Sequence, residues 1–347
     1  VGVVRAPYVP SGEELWSGVV GVYSSLQARS PSVEAGVDRL RRLELRRVWE
    51  VRRYLFDTFR GVALGMPFLD SLHPFYRELI GLLVDVNEYR HSLAKVGHAT
   101  RAVASIYRDA VVAIRSATTN FDILRARRDF LARVRDLIMD LSPELNFLKS
   151  VAAKLDRLPG IDPGLFTIVV AGMPNVGKSS FVRCVSSGRP KVAEYPFTTK
   201  ELHVGHFWVL NDVKVQVIDT PGLLDRPLSE RNKIELQAIL ALRHLAHVIV
   251  FIIDPTSQGG YSLKEQFDLL REVRGSFGSP VIVLMNKVDV ATEGEAGSAL
   301  AGVASVDGAL PVFRVSAINC GGCKEVVDYV IHEHIIPRIK EALGRPR

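Results

Sequence analysis

The sequence predicts an α/β chain in two parts. Residues 1–160 read as a basic, all-helical bundle, and residues 161–347 as a mostly parallel six-stranded sheet with helices on both faces. Three observations predict it. Apolar residues recur three and four apart through the first part, the period of a helix with one buried face. Short apolar runs alternate with helix-compatible segments through the second, the pattern of a parallel sheet covered on both sides. Between them Leu158-Pro159-Gly160-Ile161-Asp162-Pro163-Gly164 gathers the residues that interrupt both kinds of element.

In chain order, helices are expected over Val37–Phe59, Pro74–Val96, Ala99–Ala117, Asn120–Leu141 and Pro143–Leu158. In the third of these, Val103, Ile106, Ala110, Ala113 and Ile114 fall on one stripe, while Arg101, Arg108 and Arg115 fall on another. Breaks are expected at 61–67, at Ser71-Leu72-His73-Pro74, and at Ser142-Pro143, where the serine can cap and the proline can take the first helical position. Packing such faces against one another makes a bundle. Trp49, Tyr54, Tyr76 and Tyr107 are expected in its core.

After the boundary, strands are expected over Leu165–Ala171, Leu202–Leu210, Val213–Ile218, Val248–Ile253, Pro280–Met285 and Pro311–Val315. Helices follow from Lys178, over Asn232–Leu245 and Ser262–Val273, near Gly297–Ser305, and over Cys323–Ala342. Only Asn211-Asp212 joins the second strand to the third, which is too tight for a crossover, so this edge is an antiparallel hairpin. This topology, joined to Gly172-Met173-Pro174-Asn175-Val176-Gly177-Lys178-Ser179 after the first strand and Asn286-Lys287-Val288-Asp289 after the fifth, is that of a Ras-like P-loop GTPase domain.

The chemistry starts at Gly172-Met173-Pro174-Asn175-Val176-Gly177-Lys178-Ser179, set between a strand and a helix. In that context G-x-x-x-x-G-K-S turns backbone N–H groups inward around a phosphate and adds the partial positive charge of a helix N-terminus. Lys178 reaches the β and γ phosphates, and the Ser179 hydroxyl can ligate Mg2+. Pro174, Asn175, Val176, Gly177 and Ser180 complete the phosphate contacts. The base follows from Asn286-Lys287-Val288-Asp289 after the fifth strand and Ser316-Ala317 after the sixth. A carboxylate at 289 accepts from the adjacent N1–H and 2-amino donors of guanine, and adenine has no such pair. The Lys287 stem can cover the base, Asn286 can hold polar neighbours, and the Ala317 N–H can meet guanine O6. Asp219-Thr220-Pro221-Gly222 ends the third strand, placing a carboxylate for Mg2+ and a Gly222 N–H for the γ-phosphate. Thr199, with Thr198 as second choice, offers the remaining Mg2+ ligand. Catalysis is therefore assigned to Lys178, Thr199 and Gly222, and the metal to Ser179, Thr199 and Asp219. The residue after Gly222 is Leu223, where Ras-type enzymes use a glutamine to orient water, so slow intrinsic hydrolysis is expected.

Composition narrows the classes. With 47% hydrophobic and 24% charged residues the chain is globular, and no apolar run is long enough for a membrane span. A signal-peptide pattern is absent from the first ten residues, and the first residue is valine, so a cytoplasmic protein lacking a few starting residues is expected. Three cysteines are too few for a disulfide framework and fit a reducing compartment; Cys320-Gly321-Gly322-Cys323 reads as small residues in a turn. The net charge of +6 is unevenly placed: residues 1–160 carry 24 Lys and Arg against 18 Asp and Glu, and the remainder balances. The excess points to a polyanionic partner. Arg39, Arg42, Arg46 and Arg53 share a helical face, and Arg125, Arg127, Arg128, Arg133 and Arg135 form a second group. Each reads either as a phosphate-contacting stripe or as a solvated face balanced by Glu44, Glu50, Asp129 and Asp136.

Longer stretches resemble a known family. Tyr195-Pro196-Phe197-Thr198-Thr199-Lys200, Val204-Gly205-His206-Phe207 and the run from Asp219 through Leu223-Leu224-Asp225-Arg226-Pro227 to Asn232 are similar to the Nog family of nucleolar GTP-binding proteins, in the Obg group. His73-Pro74-Phe75-Tyr76 and Leu158–Pro163 extend the resemblance into the helical part. The resemblance implies a GTPase acting in large ribosomal subunit assembly, with the helical domain on ribosomal RNA, and it favours the phosphate-contacting reading of the arginines. It also implies that Asn175 can hold K+ beside the phosphates. Eukaryotic members continue well past the GTPase domain, whereas this sequence stops at Arg347, so a minimal, archaeal-type member is expected. The expected cofactors are GTP or GDP with Mg2+, and the expected partners are ribosomal RNA and the large-subunit pre-ribosome. The chain is expected to be a monomer without a membrane or DNA partner. A GTP-regulated scaffold, or a GTPase acting on another translation or signalling target, is the competing reading.

Overall fold

The computed structural model describes residues 5–26, 36–195, 201–210, 212–226, 228–256 and 258–344. The helices before residue 157 are α1 (Gly12–Ser25), α2 (Gly36–Gly65), α3 (Pro74–Leu83), α4 (Val86–Ser116) and α5 (Asn120–Leu155). The chain forms two compact units: residues through Ser71 with Leu83–Asp156, and Leu72–Leu82 with Arg157–Arg347. The sheet-containing unit thus begins four residues before the expected start at 161 and also takes α3.

The first unit is helical as predicted, with different breaks. α5 runs unbroken through Ser142-Pro143, where the sequence suggested a cap and a new start. A buried stripe of Val134, Ile138, Leu141, Leu145 and Leu148 continues past the proline, and its burial outweighs the helix bond that Pro143 cannot donate. Ser142 packs instead of capping: a Cβ on Gly12 would lie 1.7 Å from its Oγ, so the two helices approach at a glycine. The real interruption lies inside the expected Pro74–Val96 helix, where the Asp85 side chain accepts from the Asn87 and Glu88 N–H groups and starts α4. Past Gly97, α4 continues without a break. Neither Ser11 nor Thr119 was singled out from sequence, yet each closes a reciprocal capping box, with Glu14 for α1 and Asp122 for α5.

The second unit is built on β1 (Phe166–Ala171), β2 (Lys191–Glu194), β3 (Glu201–Val209), β4 (Val213–Asp219), β5 (Val248–Ile253), β6 (Val281–Met285) and β7 (Val312–Arg314). The sheet has seven strands in the order β2-β3-β4-β1-β5-β6-β7, not six. The unexpected strand, β2, pairs antiparallel with β3 at the edge. Its Pro190-Lys191 start suits an edge, and its four residues contain no apolar run. β3 and β4 form the predicted hairpin, and β1, β4, β5, β6 and β7 are mutually parallel. β5 and β6 are buried along their whole length, as strands covered on both faces must be.

The helices of this unit are α6 (Lys178–Val185), α7 (Lys233–Ala241), α8 (Leu263–Phe277), α9 (Glu293–Val306), α10 (Cys323–Val330) and α11 (Ile336–Gly344), the last two joined by a π-helical stretch, Ile331–Ile335. α3 belongs here for a visible reason. The fully buried Tyr76 donates its hydroxyl to the Pro159 carbonyl at 2.8 Å and the Ile161 carbonyl at 2.5 Å. Glu78 meets His244 Nε2 at 2.8 Å and Arg243 at 3.2 Å. The His73–Tyr76 and Leu158–Pro163 segments are therefore in contact.

Candidate nucleotide site

β1 lies between β4 and β5, so its C-terminal end opens where the winding of the sheet changes direction, the place where α/β folds bind ligands. The phosphate-loop motif leaves β1 there. Gly172 has φ 137° and a Cβ on it would stand 2.4 Å from the Ile252 carbonyl oxygen, so the strand end and the loop admit glycine alone. Gly177 has φ 102° and caps α6 without any side-chain bond, leaving the helix N-terminus open to an anion. A Cβ on Gly177 would meet Asn286 Nδ2 at 2.1 Å. Lys178 is buried and its Nζ donates to the Gly172 and Met173 carbonyls at 2.7 and 2.8 Å, folding the ammonium into the centre of the loop. Burial lowers its pKa, opposed by the Asp225 and Asp219 carboxylates.

The metal ligands assigned from sequence can be tested on geometry. Ser179 Oγ donates to Asp219 Oδ2 at 2.5 Å, and His203 Nδ1 lies 3.3 Å from the same oxygen. Asp219 is fully buried, and its other oxygen, Oδ1, has no hydrogen-bond partner among the described residues. An orphaned buried carboxylate oxygen beside a hydroxyl is the donor chemistry of a hard divalent cation, so Ser179 and Asp219 fit Mg2+. The third assigned ligand, Thr199, and its alternate Thr198 lie outside the described residues. Asn175 is exposed, with φ 62°, and Ser180 Oγ accepts from Arg183 at 3.1 Å.

The residues that the sequence assigns to the base are linked to the phosphate loop by consecutive bonds. Asn286 Nδ2 donates to the Val176 carbonyl at 2.7 Å, and Asn286 Oδ1 accepts the Ala317 N–H at 2.8 Å. That N–H, expected on guanine O6, here orders the Ser316-Ala317 loop. Ser316 Oγ donates to Asp289 Oδ1 at 2.6 Å, which fixes the carboxylate and leaves Oδ2 for a base. Lys287 extends its ammonium to Asp254 Oδ2 at 2.5 Å, stretching the stem across the space between.

Several contributors escaped the sequence reading. Asp254, at the end of β5, also accepts from the Thr256 and Gly259 N–H groups at 2.9 and 3.2 Å. Its position at the C-terminal end of a parallel strand was a usable signal. Gln266, one turn into α8, is buried and bonds both the N–H and the carbonyl of Asp254, and nothing in the sequence marks it. Asp225 accepts the Gly222 N–H at 2.6 Å. Leu223 is fully buried. The cysteines also differ from expectation: Cys184 of α6 is bonded to Cys320 in the loop after Ala317, 136 residues away, and Cys323 is buried and free. Cys184 Sγ also lies 3.3 Å from the Ala317 carbonyl, a proximity that counting cysteines along the sequence could not supply.

Comparison with known proteins settles the family. The NOG1 N-terminal helical domain profile matches residues 5–162, and the nucleolar GTP-binding protein 1 (NOG1) profile matches residues 233–289. An uncharacterized protein of Methanocaldococcus jannaschii is 36% identical over 255 residues, covering 74% of this chain and 71% of that one. The chain belongs to the NOG1 family. Nucleolar GTP-binding protein 1 of Eremothecium gossypii is 35% identical over 288 residues, 82% of this chain and 44% of the relative. This NOG1-family chain thus spans less than half the length of that curated relative. A crystal structure of a Plasmodium falciparum nucleolar GTP-binding protein 1 is 33% identical, covering 54% of this chain and 94% of that one, with a TM-score of 0.46.

In the helical unit the arginines divide into two groups. Arg41, Arg47 and Arg52 are structural: Arg41 Nη2 donates to the Ala117 carbonyl at 2.7 Å, Arg47 to buried Glu44 at 2.8 Å, and Arg52 lies 5.1 Å from the Tyr107 ring centre. Arg39, Arg42, Arg46 and Arg53 are exposed along α2. Trp49, expected in the bundle core, is 40% exposed among them, with Arg53 over its ring at 5.1 Å, and Tyr76, expected there too, is buried in the sheet-containing unit instead. No helix among the described residues is long and apolar enough to cross a membrane.

Proposed function

We propose that this chain binds GTP with Mg2+, hydrolyses it slowly to GDP and phosphate, and acts as a nucleotide switch in assembly of the large ribosomal subunit. The observation that carries the reading is the unbroken series of bonds from Asp219 and Ser179 through the phosphate loop to Asn286, Ala317, Ser316 and Asp289. One pocket then holds metal, phosphates and guanine in fixed register. Lys178 would leave its loop carbonyls for the β and γ phosphates, and Gly222 would offer its N–H to the γ-phosphate. Ser179, Asp219 and Thr199 would hold Mg2+, which would neutralise phosphate charge. Asp289 accepts the paired guanine donors while Lys287, drawn out by Asp254, lies along the base. With Leu223 buried where a water-orienting glutamine would stand, turnover depends on positioning by the remaining groups, and K+ held at Asn175 is part of the proposal. Equal hydrolysis rates in Na+ and K+ would remove that part.

The α2 face of Arg39, Arg42, Arg46 and Arg53 with Trp49 supports a nucleic-acid surface, because cations track a phosphate backbone and an exposed indole can stack on a base. Arg125, Arg127, Arg128, Arg133 and Arg135 form a second candidate patch. The relatives' names say nucleolar; for this chain a cytoplasmic monomer on ribosomal RNA is the proposal. Crosslinking in cells, with and without a non-hydrolysable GTP analogue, tests it. Large-subunit ribosomal RNA is expected, with recovery that changes with the analogue. Crosslinks confined to other RNAs would contradict the assignment.

A further inference from the structure

Asp225 belongs to none of the motifs that assign the site, yet its carboxylate sits on the group that a triphosphate needs. Gly222, with φ 75°, donates its N–H to Asp225 Oδ2 at 2.6 Å. The Asp225 side chain is 13% exposed, so water screens it little, and its charge opposes the lowering of the Lys178 pKa by burial. The carboxylate thus already holds the Gly222 N–H, one of the donors that a γ-phosphate would use, and its charge favours the ammonium of Lys178, the other. The carboxylate is held from behind. Arg231, 1% exposed, places Nη2 3.4 Å from Asp225 Oδ1 and 2.8 Å from the Leu223 carbonyl, while its Nη1 meets Glu235 at 2.6 Å. The guanidinium thus ties Asp225 to the start of α7 and to the backbone next to Gly222. Arg231 Nε has no partner among the described residues, so the guanidinium keeps one N–H free to donate to a further oxygen.

We propose that Asp225 occupies the γ-phosphate position when no triphosphate is bound, and that its displacement sets the preference between GTP and GDP. The inference rests on the nucleotide reading above and adds a specificity-determining residue to it. A diphosphate leaves the Gly222–Asp225 bond intact. A triphosphate must break that bond and bring its own charge against the carboxylate, so Asp225 lowers affinity for GTP selectively and holds the backbone at Gly222 and Leu223 in one arrangement until the γ-phosphate arrives. The run Leu223-Leu224-Asp225-Arg226 then does more than connect β4 to α7.

The test is calorimetric titration of the full chain, Asp225→Ala and Asp225→Asn with GDP and with a non-hydrolysable GTP analogue, all in Mg2+. Removing the competing charge-assisted bond in Asp225→Ala is expected to shift the affinity ratio toward the triphosphate by about tenfold. Asp225→Asn keeps an acceptor of the same shape without the charge and should shift the ratio in the same direction by less. It also carries the test if the alanine variant does not fold. An unchanged ratio in both variants, or a shift toward GDP, with wild-type protein binding both nucleotides, overturns the inference and leaves the nucleotide reading standing. Wild-type protein that binds neither nucleotide overturns the nucleotide reading itself.

Discussion

Asp289 accepts one bond from Ser316 and keeps an oxygen for the base, so its charge and its orientation are separable. Asp289→Asn retains the shape but presents a donor, and guanine preference should fall by about 10^4, with xanthine gaining. Competition among GTP, ATP and XTP measures it. Gly177→Ala combines a disfavoured φ with an overlap on Asn286 Nδ2, and should abolish nucleotide binding through lost loop geometry. Leu223→Ala should leave measurable turnover, because the buried side chain has no hydrogen bond to offer a water; loss of hydrolysis with GTP binding intact would contradict this. His247 provides a pH signature. Its Nδ1 accepts the Thr167 N–H at 3.1 Å, its ring stacks on Phe166, and burial pulls its pKa down to about 4. The folded protein therefore keeps it neutral where the unfolded chain, titrating near 6.5, takes a proton. Stability from this residue is intact above about 6.5 and is lost as pH falls toward 4, on the order of 2 kcal/mol. His247→Asn, which keeps an acceptor, should flatten the fall in melting temperature across that window.

At the scale of elements, local signals were legible where chemistry is local. The phosphate loop, the 203–219 hairpin and the strand ends carrying Asp219, Asn286 and Ser316 follow from residue order, because each combines a buried run with a turn whose residues have special backbone or hydrogen-bonding roles. Elements decided by distant contacts were not legible. The Ser142-Pro143 break vanished because Gly12 lets α1 close on α5, and β2 was missed because only β3 gives it a reason to be extended. Nor could spacing reveal Gln266 or the bond between Cys184 and Cys320, whose partners meet through the fold. That disulfide joins α6 to the loop after Ala317 across 136 residues, a closure worth about 5 kcal/mol against the unfolded chain. Cys184→Ser should lower the melting temperature of oxidised protein and remove the difference between oxidised and reduced samples. Equal melting of wild type with and without reductant would contradict a formed bond.

For the whole molecule, the account joins a nucleotide site in one unit to a cationic helical surface in the other, and each can be measured separately. If the α2 face contacts phosphates, the logarithm of RNA affinity should fall linearly with the logarithm of salt, and Arg39→Ala with Arg46→Ala should reduce that slope by about two. An unaltered slope would return those arginines to a solvated face. The claim on which the rest depends is that one pocket takes guanine nucleotide together with Mg2+. Calorimetric titration of the purified, folded chain with GDP, GTP analogue and ATP, with Mg2+ and with chelator, tests it most directly. The account predicts saturable guanine-nucleotide binding strengthened by Mg2+ for the triphosphate and absent for ATP; equal binding of ATP, or no heat from any guanine nucleotide, would contradict it.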